Sequence, residues 1–219
     1  MAQHPLEAAL LAAADGVFPP VDGRVVLVPP LPGGLEAVVS FTGHAAVATA
    51  LAGPDLADLA LDGFGAALQP AVLLRLAGAG GSVGVIDLTL VARGVGGGRL
   101  PARHDVDDHP RVRHARGLRR NVRVHGDERG VVTLADGLAG RLEVSVEAPS
   151  DRQGTGAGRE LVLEALRLVP HGEPVFAAVS PGNARSLRVF LALGFQPLGS
   201  EVLIRPEREV PGGEGAPRT

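Results

Sequence analysis

Between Gln153 and Gly158 the chain reads Gln-Gly-Thr-Gly-Ala-Gly. A strand-like run, Leu142 to Glu147, precedes it, and an amphipathic segment from Arg159 to about Val169 follows. A glycine turn that opens a helix is an anion-binding arrangement, because free N–H groups and the positive end of the helix dipole both point at the turn. Glycine lets the backbone approach a phosphate and adopt positive φ. The dinucleotide pattern G-x-G-x-x-G fails, since its third glycine would fall at Arg159 or Leu161. The triphosphate pattern needs a lysine, and the chain contains none. The pattern that is met is Q-x-x-G-x-G, with Gln153, Gly156 and Gly158.

Other residues could move protons or hold ligands. Glu143, Glu147 and His125 lie on strand-like runs around the glycine turn, and a carboxylate or histidine can take a proton from an amine. On an alternating strand Glu143 reads equally well as a surface residue. The run His104-Asp105-Val106-Asp107-Asp108-His109, with His114 beyond, holds metal-ligand types. Its spacing follows no helix or strand period and Pro110 interrupts it, so it reads as a solvated loop and no metal site is assigned. Arg111, Arg113, Arg116, Arg119, Arg120 and Arg123 form a basic run. It reads as a solvated face paired with the preceding acids, or as an anion site. No aromatic residue is interleaved for base stacking and the net charge is −3, which argues against nucleic acid.

These groups need a frame. The 219 residues are 45% hydrophobic, enough for one substantial core. There is no cysteine, which excludes disulfides and thiolate catalysis. The N-terminus has no basic lead into an apolar run, and no stretch approaches a membrane span. A cytoplasmic protein with no membrane partner is expected. Leu6 to Ala14 reads as a helix, Arg24 to Val28 and Leu35 to Thr42 as strands, and Gly43 to Leu51 as strand or helix. Pro54-Asp55 starts a helical region with Leu56, Leu59, Ala60 and Phe64; Pro70 to Ala77 is a further helix; Ser82 to Ala92 is one strand. Gly94 to Pro110 is a loop. Asn121 to His125 and Val131 to Leu134 form a hairpin. After the glycine turn and its helix come a buried strand, Val175 to Val179, a helix from Asn183 to Leu193, and a last strand, Glu201 to Arg205.

The helix from Asn183 carries a second pattern, Asn183-x-x-Ser186-x-x-x-Phe190-x-x-x-Gly194-Phe195. Together with Gln153–Gly158 it resembles the two cofactor motifs of the GNAT acyltransferases (Gcn5-related N-acetyltransferases), in the right order and on the right elements. The resemblance covers about Arg119 to Arg205 and fades upstream. It implies an α/β (α+β) fold: a mixed, mostly antiparallel sheet flanked by helices, with splayed parallel strands at the cofactor cleft. It implies one domain over 21–206 with its acetyl-CoA core at 118–206; before it the chain reads as an N-terminal helix and lead over 1–20, and after it as a disordered tail over 207–219, rich in Pro, Gly and charge with nothing to bury. The alternative is a small separate domain ending near Gly98.

The activity implied is transfer of an acyl group from acetyl-CoA to an amine of a small molecule or protein, by direct attack in a ternary complex. The alternative is a catalytically silent acetyl-CoA-binding module. The resemblance implies that Gln153, Gly154, Thr155, Gly156, Ala157 and Gly158 cradle the pyrophosphate and that Arg159 adds charge. Val144 and Val146 would offer backbone N–H groups to the pantetheine arm. Asn183 and Ser186 would sit beside that arm, although Asn183 also reads as a plain helix cap. Glu143 lies near where many members place the base. Phe190 stands where many carry a tyrosine that protonates the leaving thiolate. Acetyl-CoA and an amine acceptor are the partners implied, and a homodimer is compatible with them.

Overall fold

The computed structural model describes residues 3–208. In chain order the elements are α1 (Pro5–Ala14), β1 (Val25–Val28), β2 (Glu36–Phe41), β3 (His44–Ala48), α2 (Pro70–Ala77), β4 (Ser82–Val83), β5 (Asp87–Arg93), α3 (Pro110–Leu118), β6 (Arg120–Asp127), β7 (Gly130–Asp136), β8 (Leu142–Glu147), α4 (Ala157–Leu168), β9 (Pro174–Val179), α5 (Ala184–Ala192) and β10 (Gln196–Arg205). The chain is a mixed α/β fold in which five helices flank one large sheet. The strand order is β1-β3-β2-β10-β5-β9-β8-β7-β6, with β4 paired to β10. Pairing is antiparallel except for β1 with β3 and β8 with β9.

Residue alternation along the strands separates two faces. On one face, Val132, Leu134, Val144, Val175, Ala177 and Leu90 are buried with Leu161, Val162, Ala165 and Leu166 of α4 and Phe190 of α5. Val38, Val47, Val202 and Ile204 continue that face under α2. On the opposite face, Ala37, Val39, Ala46, Val91 and Phe176 pack against Leu6, Leu10 and Ala13 of α1. The segment expected as a lead is thus part of the core. α3 covers β6 and β7 on this second face.

Helix starts follow from local chemistry. Proline opens α1, α2 and α3, where its missing N–H has no intrahelical partner to lose. His4 and His109 cap α1 and α3, each Nδ1 accepting a hydrogen bond from the backbone N–H two residues on. Asn183 caps α5, its Oδ1 accepting from Ser186 N at 3.1 Å.

The basic run, read as a solvated face paired with the preceding acids, starts on the helix α3, seated by Val112 and Ala115, and its Arg116 pairs with Asp107. Three expectations need correction. The helical region from Pro54 is one short 3-10 turn, Gly53–Leu56, and Phe64 is 70% exposed. Its apolar residues are too few and too close to Gly63 and Gly65 to seat a helix. Gly43 to Leu51 resolves as the strand β3, and Ser82 to Ala92 is broken at Gly84 into β4 and β5. The upstream strands join the same sheet: β5 inserts between β10 and β9, and β1 to β3 extend the sheet beyond β10. Glu207 and Arg208, expected within a disordered tail, are anchored: the Glu207 N–H donates to the Ala77 carbonyl, and the Arg208 guanidinium pairs with the buried carboxylate of Glu36. The rest of that tail, 209–219, lies outside the described residues. Among the described residues no helix is long and apolar enough to cross a membrane.

Candidate functional site

The sheet opens between its two central parallel strands. β8 and β9 pair at Glu143 and Phe176, and no register pair joins them beyond that point. Each keeps a full ladder on its other side, β8 with β7 and β9 with β5. The C-terminal halves, from Val144 and Ala177 onward, therefore diverge as a wedge. The Glu147 carbonyl lies against Gly130 of β7. By the alternation of an antiparallel ladder, Glu143, Ser145 and Glu147 turn their backbone groups to β7, and Val144 and Val146 turn theirs toward β9. Val144 is next to the place where the strands still meet. Val146 lies two residues further on, in the open part.

The mouth of the wedge is framed by two helix N-termini. After β8, Pro149 to Gly156 leads into α4, with Gly156 at φ +97° as the cap residue. Only glycine takes that backbone angle without strain, and open space surrounds the missing Cβ. Among the described residues the N–H groups of Gly154, Gly156, Ala157 and Gly158 donate to no protein acceptor. The Thr155 hydroxyl turns back to the Arg152 carbonyl at 2.7 Å. Gln153, Thr155 and Arg159 are exposed. From the other side, Arg185 of α5 donates through Nη1 to Gln153 Oε1 at 3.0 Å, tying the loop to the second helix N-terminus. That bond brings the Gln153 side of the loop to the start of α5, where Asn183 caps the helix at Ser186.

The catalytic candidates fare differently. Glu143 is 3% exposed, held by Arg119 Nη2 at 2.5 Å and Arg141 Nη2 at 3.4 Å. Burial alone would raise its pKa, but the two guanidinium groups prevail and hold it below the ordinary value. It is a structural counter-ion rather than a poised base. Arg141 also binds Glu201 at 2.6 Å, which accepts in turn from Thr89 at 2.5 Å. Among the described residues the Arg141 Nε and Nη1 find no acceptor, and its guanidinium lies 4.9 Å from the centroid of Phe176. Phe190 is 5% exposed, its ring 4.8 Å from that of Phe195 in an edge-to-face pair. Glu147 is paired with Arg111 at 3.0 Å. His125 is on β6, two strands from β8, with Nδ1 against the Leu100 carbonyl at 3.1 Å.

Sequence reasoning missed Asp87. It opens β5, whose next residue Leu88 is in register with Val179 at the splayed end of β9. Burial first, then the nearby Glu201 and Glu143, push its pKa up to about 6, against the pull of Arg119. No side-chain donor among the described residues binds its carboxylate. Its sole signal in the sequence was an acid inside an apolar run, Val85-Ile86-Asp87-Leu88. On the same face a cavity of about 300 Å³ lies between α3 and the β4–β10 pair, lined by Val83, Gly84, His114, Leu118, Leu203 and Arg205.

No family profile matches the sequence, and no curated protein does. Among solved structures, the chain is similar to a functionally unknown conserved protein from Staphylococcus epidermidis ATCC 12228, with TM-score 0.41 and 14% identity over 64% of this chain and 68% of that one. It is similar to a GNAT-family protein from Novosphingobium aromaticivorans DSM 12444 assigned as an acetyltransferase, with TM-score 0.40 and 16% identity over 60% and 70%. A GCN5-related N-acetyltransferase from Kribbella flavida gives TM-score 0.33 and 15% identity over 66% and 65%. Likenesses this distant bear on neither activity nor substrate.

Proposed function

We propose that the protein is an acyl-CoA-dependent N-acyltransferase, using acetyl-CoA, that acts on an amine by direct attack in a ternary complex. The observation that carries this reading is the wedge between β8 and β9, opening onto the donor-rich loop at the start of α4. The N–H groups of Gly154, Gly156, Ala157 and Gly158 suit a pyrophosphate, since they gather at a helix N-terminus without internal acceptors among the described residues. An extended pantetheine arm suits the open half of β8, where it can add to the Val146 backbone as an extra strand does. That N–H can also receive the charge that develops on the thioester oxygen. Titrating the protein with acetyl-CoA by calorimetry, then assaying CoA release over an amine panel, tests the two halves. No binding at millimolar acetyl-CoA would overturn the reading.

A second reading, a silent acetyl-CoA-binding module, is favoured by one feature. Phe190 offers no phenol to the leaving thiolate, and the chain has no tyrosine to substitute. Binding without CoA release on any amine would select it.

A further inference from the structure

On the acyltransferase reading, we infer that the cavity beside α3 is the acceptor site, that it takes a linear amine carrying a carboxylate at its far end, and that Asp87 removes the proton from the amine. The cavity is polarised along its length. Glu201, Leu203 and Arg205 share one face of β10 by their alternation. Ser82 is in register with Arg205 at one end of the lining; Asp87, in register with Glu201, stands just outside the lining at the other, one side-chain position along β10 beyond Leu203. The backbone distance from residue 201 to 205 is roughly 13 Å at strand rise.

The far end is cationic. Arg205 lines the cavity, anchored through Nη2 to the Gly117 carbonyl at 2.6 Å, and no carboxylate pairs with it among the described residues. His114 stands beside it. Its pKa is lowered, by burial first and then by Arg119 and Arg111, with a smaller push from Arg205 and an opposing pull from Glu143. Arg205 is the cation left without a carboxylate beside this imidazole among the described residues, since Arg119 pairs with Glu143 and Arg111 with Glu147. That field rewards an anion and repels an amine cation. The near end is acidic but only at Asp87, because Glu201 and Glu143 are already neutralised by Arg141 and Arg119. Leu118 and Leu203 between the two ends suit a methylene chain. A molecule with its charges adjacent cannot reach both ends, which selects separated ones.

The step balances simply. The amine lone pair forms the C–N bond to the acyl carbon, and the C–S bond breaks with its pair leaving on the CoA sulfur. The nitrogen proton passes to an Asp87 carboxylate oxygen and from there to solvent.

The test uses 6-aminohexanoate and its uncharged-end counterpart hexylamine on the full chain. The His114 ring resonances, assigned with a His114→Gln variant, should shift saturably with 6-aminohexanoate and not with hexylamine. Arg205→Met should abolish the shift while leaving acetyl-CoA affinity unchanged by calorimetry. This readout needs no turnover. A shift without acetyl-CoA binding would refute the acyltransferase reading and leave the cavity as a binding site for amino carboxylates, no longer an acceptor site; no shift, or an equal one with hexylamine, would overturn the inference whatever acetyl-CoA does. In CoA release, Arg205→Met should raise KM for 6-aminohexanoate at least tenfold. Asp87→Asn should lower kcat by about 10²–10⁴-fold with KM little changed, and should remove the acidic limb of the pH profile, which Glu201, Glu143 and Arg119 tune from the neighbouring elements. An unchanged limb would refute the role of Asp87.

Discussion

Glu143 of β8 and Phe176 of β9 stand side by side in parallel register, and past them the two strands part. The opening is held from beneath by charge. Arg119 grips Glu143, Arg141 bridges Glu143 to Glu201 of β10, and the Arg141 guanidinium rests on the Phe176 ring. A buried network thus ties three elements together at the point where the sheet stops pairing.

Glu143→Gln should therefore act on stability. Removing one partner leaves Arg119 and Arg141 facing an uncharged amide in a dry site, at a cost of about 3–5 kcal/mol. The sign with pH follows from the depressed folded-state pKa of Glu143. Its contribution is full above the unfolded value of about 4.3 and is lost as pH falls through the folded value. Urea melts should show the variant well below wild type at pH 7, with the gap closing in acid. A gap that stays constant with pH would mean the carboxylate charge is not what holds the network.

Asp87 carries the opposite sign. Its pKa is raised to about 6 in the folded state, so folding favours the protonated form. The stability linked to it is present below about 3.9 and lost as pH rises through about 6. Asp87→Asn removes that loss. The variant should melt higher than wild type at pH 7.5 and show little advantage at pH 4, while losing the activity proposed for it. A lower melting temperature at pH 7.5 would show the carboxylate to be a structural partner instead.

Gly156 is set by its backbone. At φ +97° a side chain costs about 1–2 kcal/mol of strain, yet the space at the missing Cβ is open. Gly156→Val should fold, melt a few degrees lower, and lose acetyl-CoA binding by calorimetry, because the relaxed turn no longer aims its N–H groups together. Retained affinity would remove the loop from the site.

The sequence disclosed those parts of the fold whose signals are local. α2 and α4 follow from the spacing of their apolar residues, α5 from Asn183 and Gly194, and the β6–β7 hairpin from its turn. α3 was hidden because three arginines and a histidine mask Val112 and Ala115; the usable signal was Pro110 at its first position. The break between β4 and β5 was hidden because β10 makes it, with the Gly84 N–H donating to the Leu203 carbonyl at 2.8 Å. The loop was legible as a motif. The chemistry around it was not, since Asp87, Glu143 and Glu201 come from distant segments. Whether each is free or neutralised depends on arginines that meet it only in three dimensions.

The wedge makes the sharpest test, because adjacent residues of β8 face different neighbours. Proline removes one N–H, which a strand tolerates only where that N–H has no ladder partner. Ser145 turns its backbone to β7, and its hydroxyl also meets Thr133 Oγ1 at 2.6 Å. Ser145→Pro should break that ladder and unfold or strongly destabilise the chain. Val146 turns its backbone to the open side, beyond the last register pair with β9. Val146→Pro should therefore leave most of the melting temperature in place. It removes the N–H that would meet the pantetheine arm, worth about 0.5–1.5 kcal/mol as an ordinary hydrogen bond, and the ring obstructs the extended arm as well. Acetyl-CoA affinity should fall about tenfold or more, and kcat should fall further if the same N–H stabilises the thioester oxygen. Paired melting curves and acetyl-CoA titrations of the two variants decide the matter. Equal destabilisation by both prolines would mean that β8 and β9 stay paired in solution, and an unchanged Kd in Val146→Pro would mean that the arm lies elsewhere.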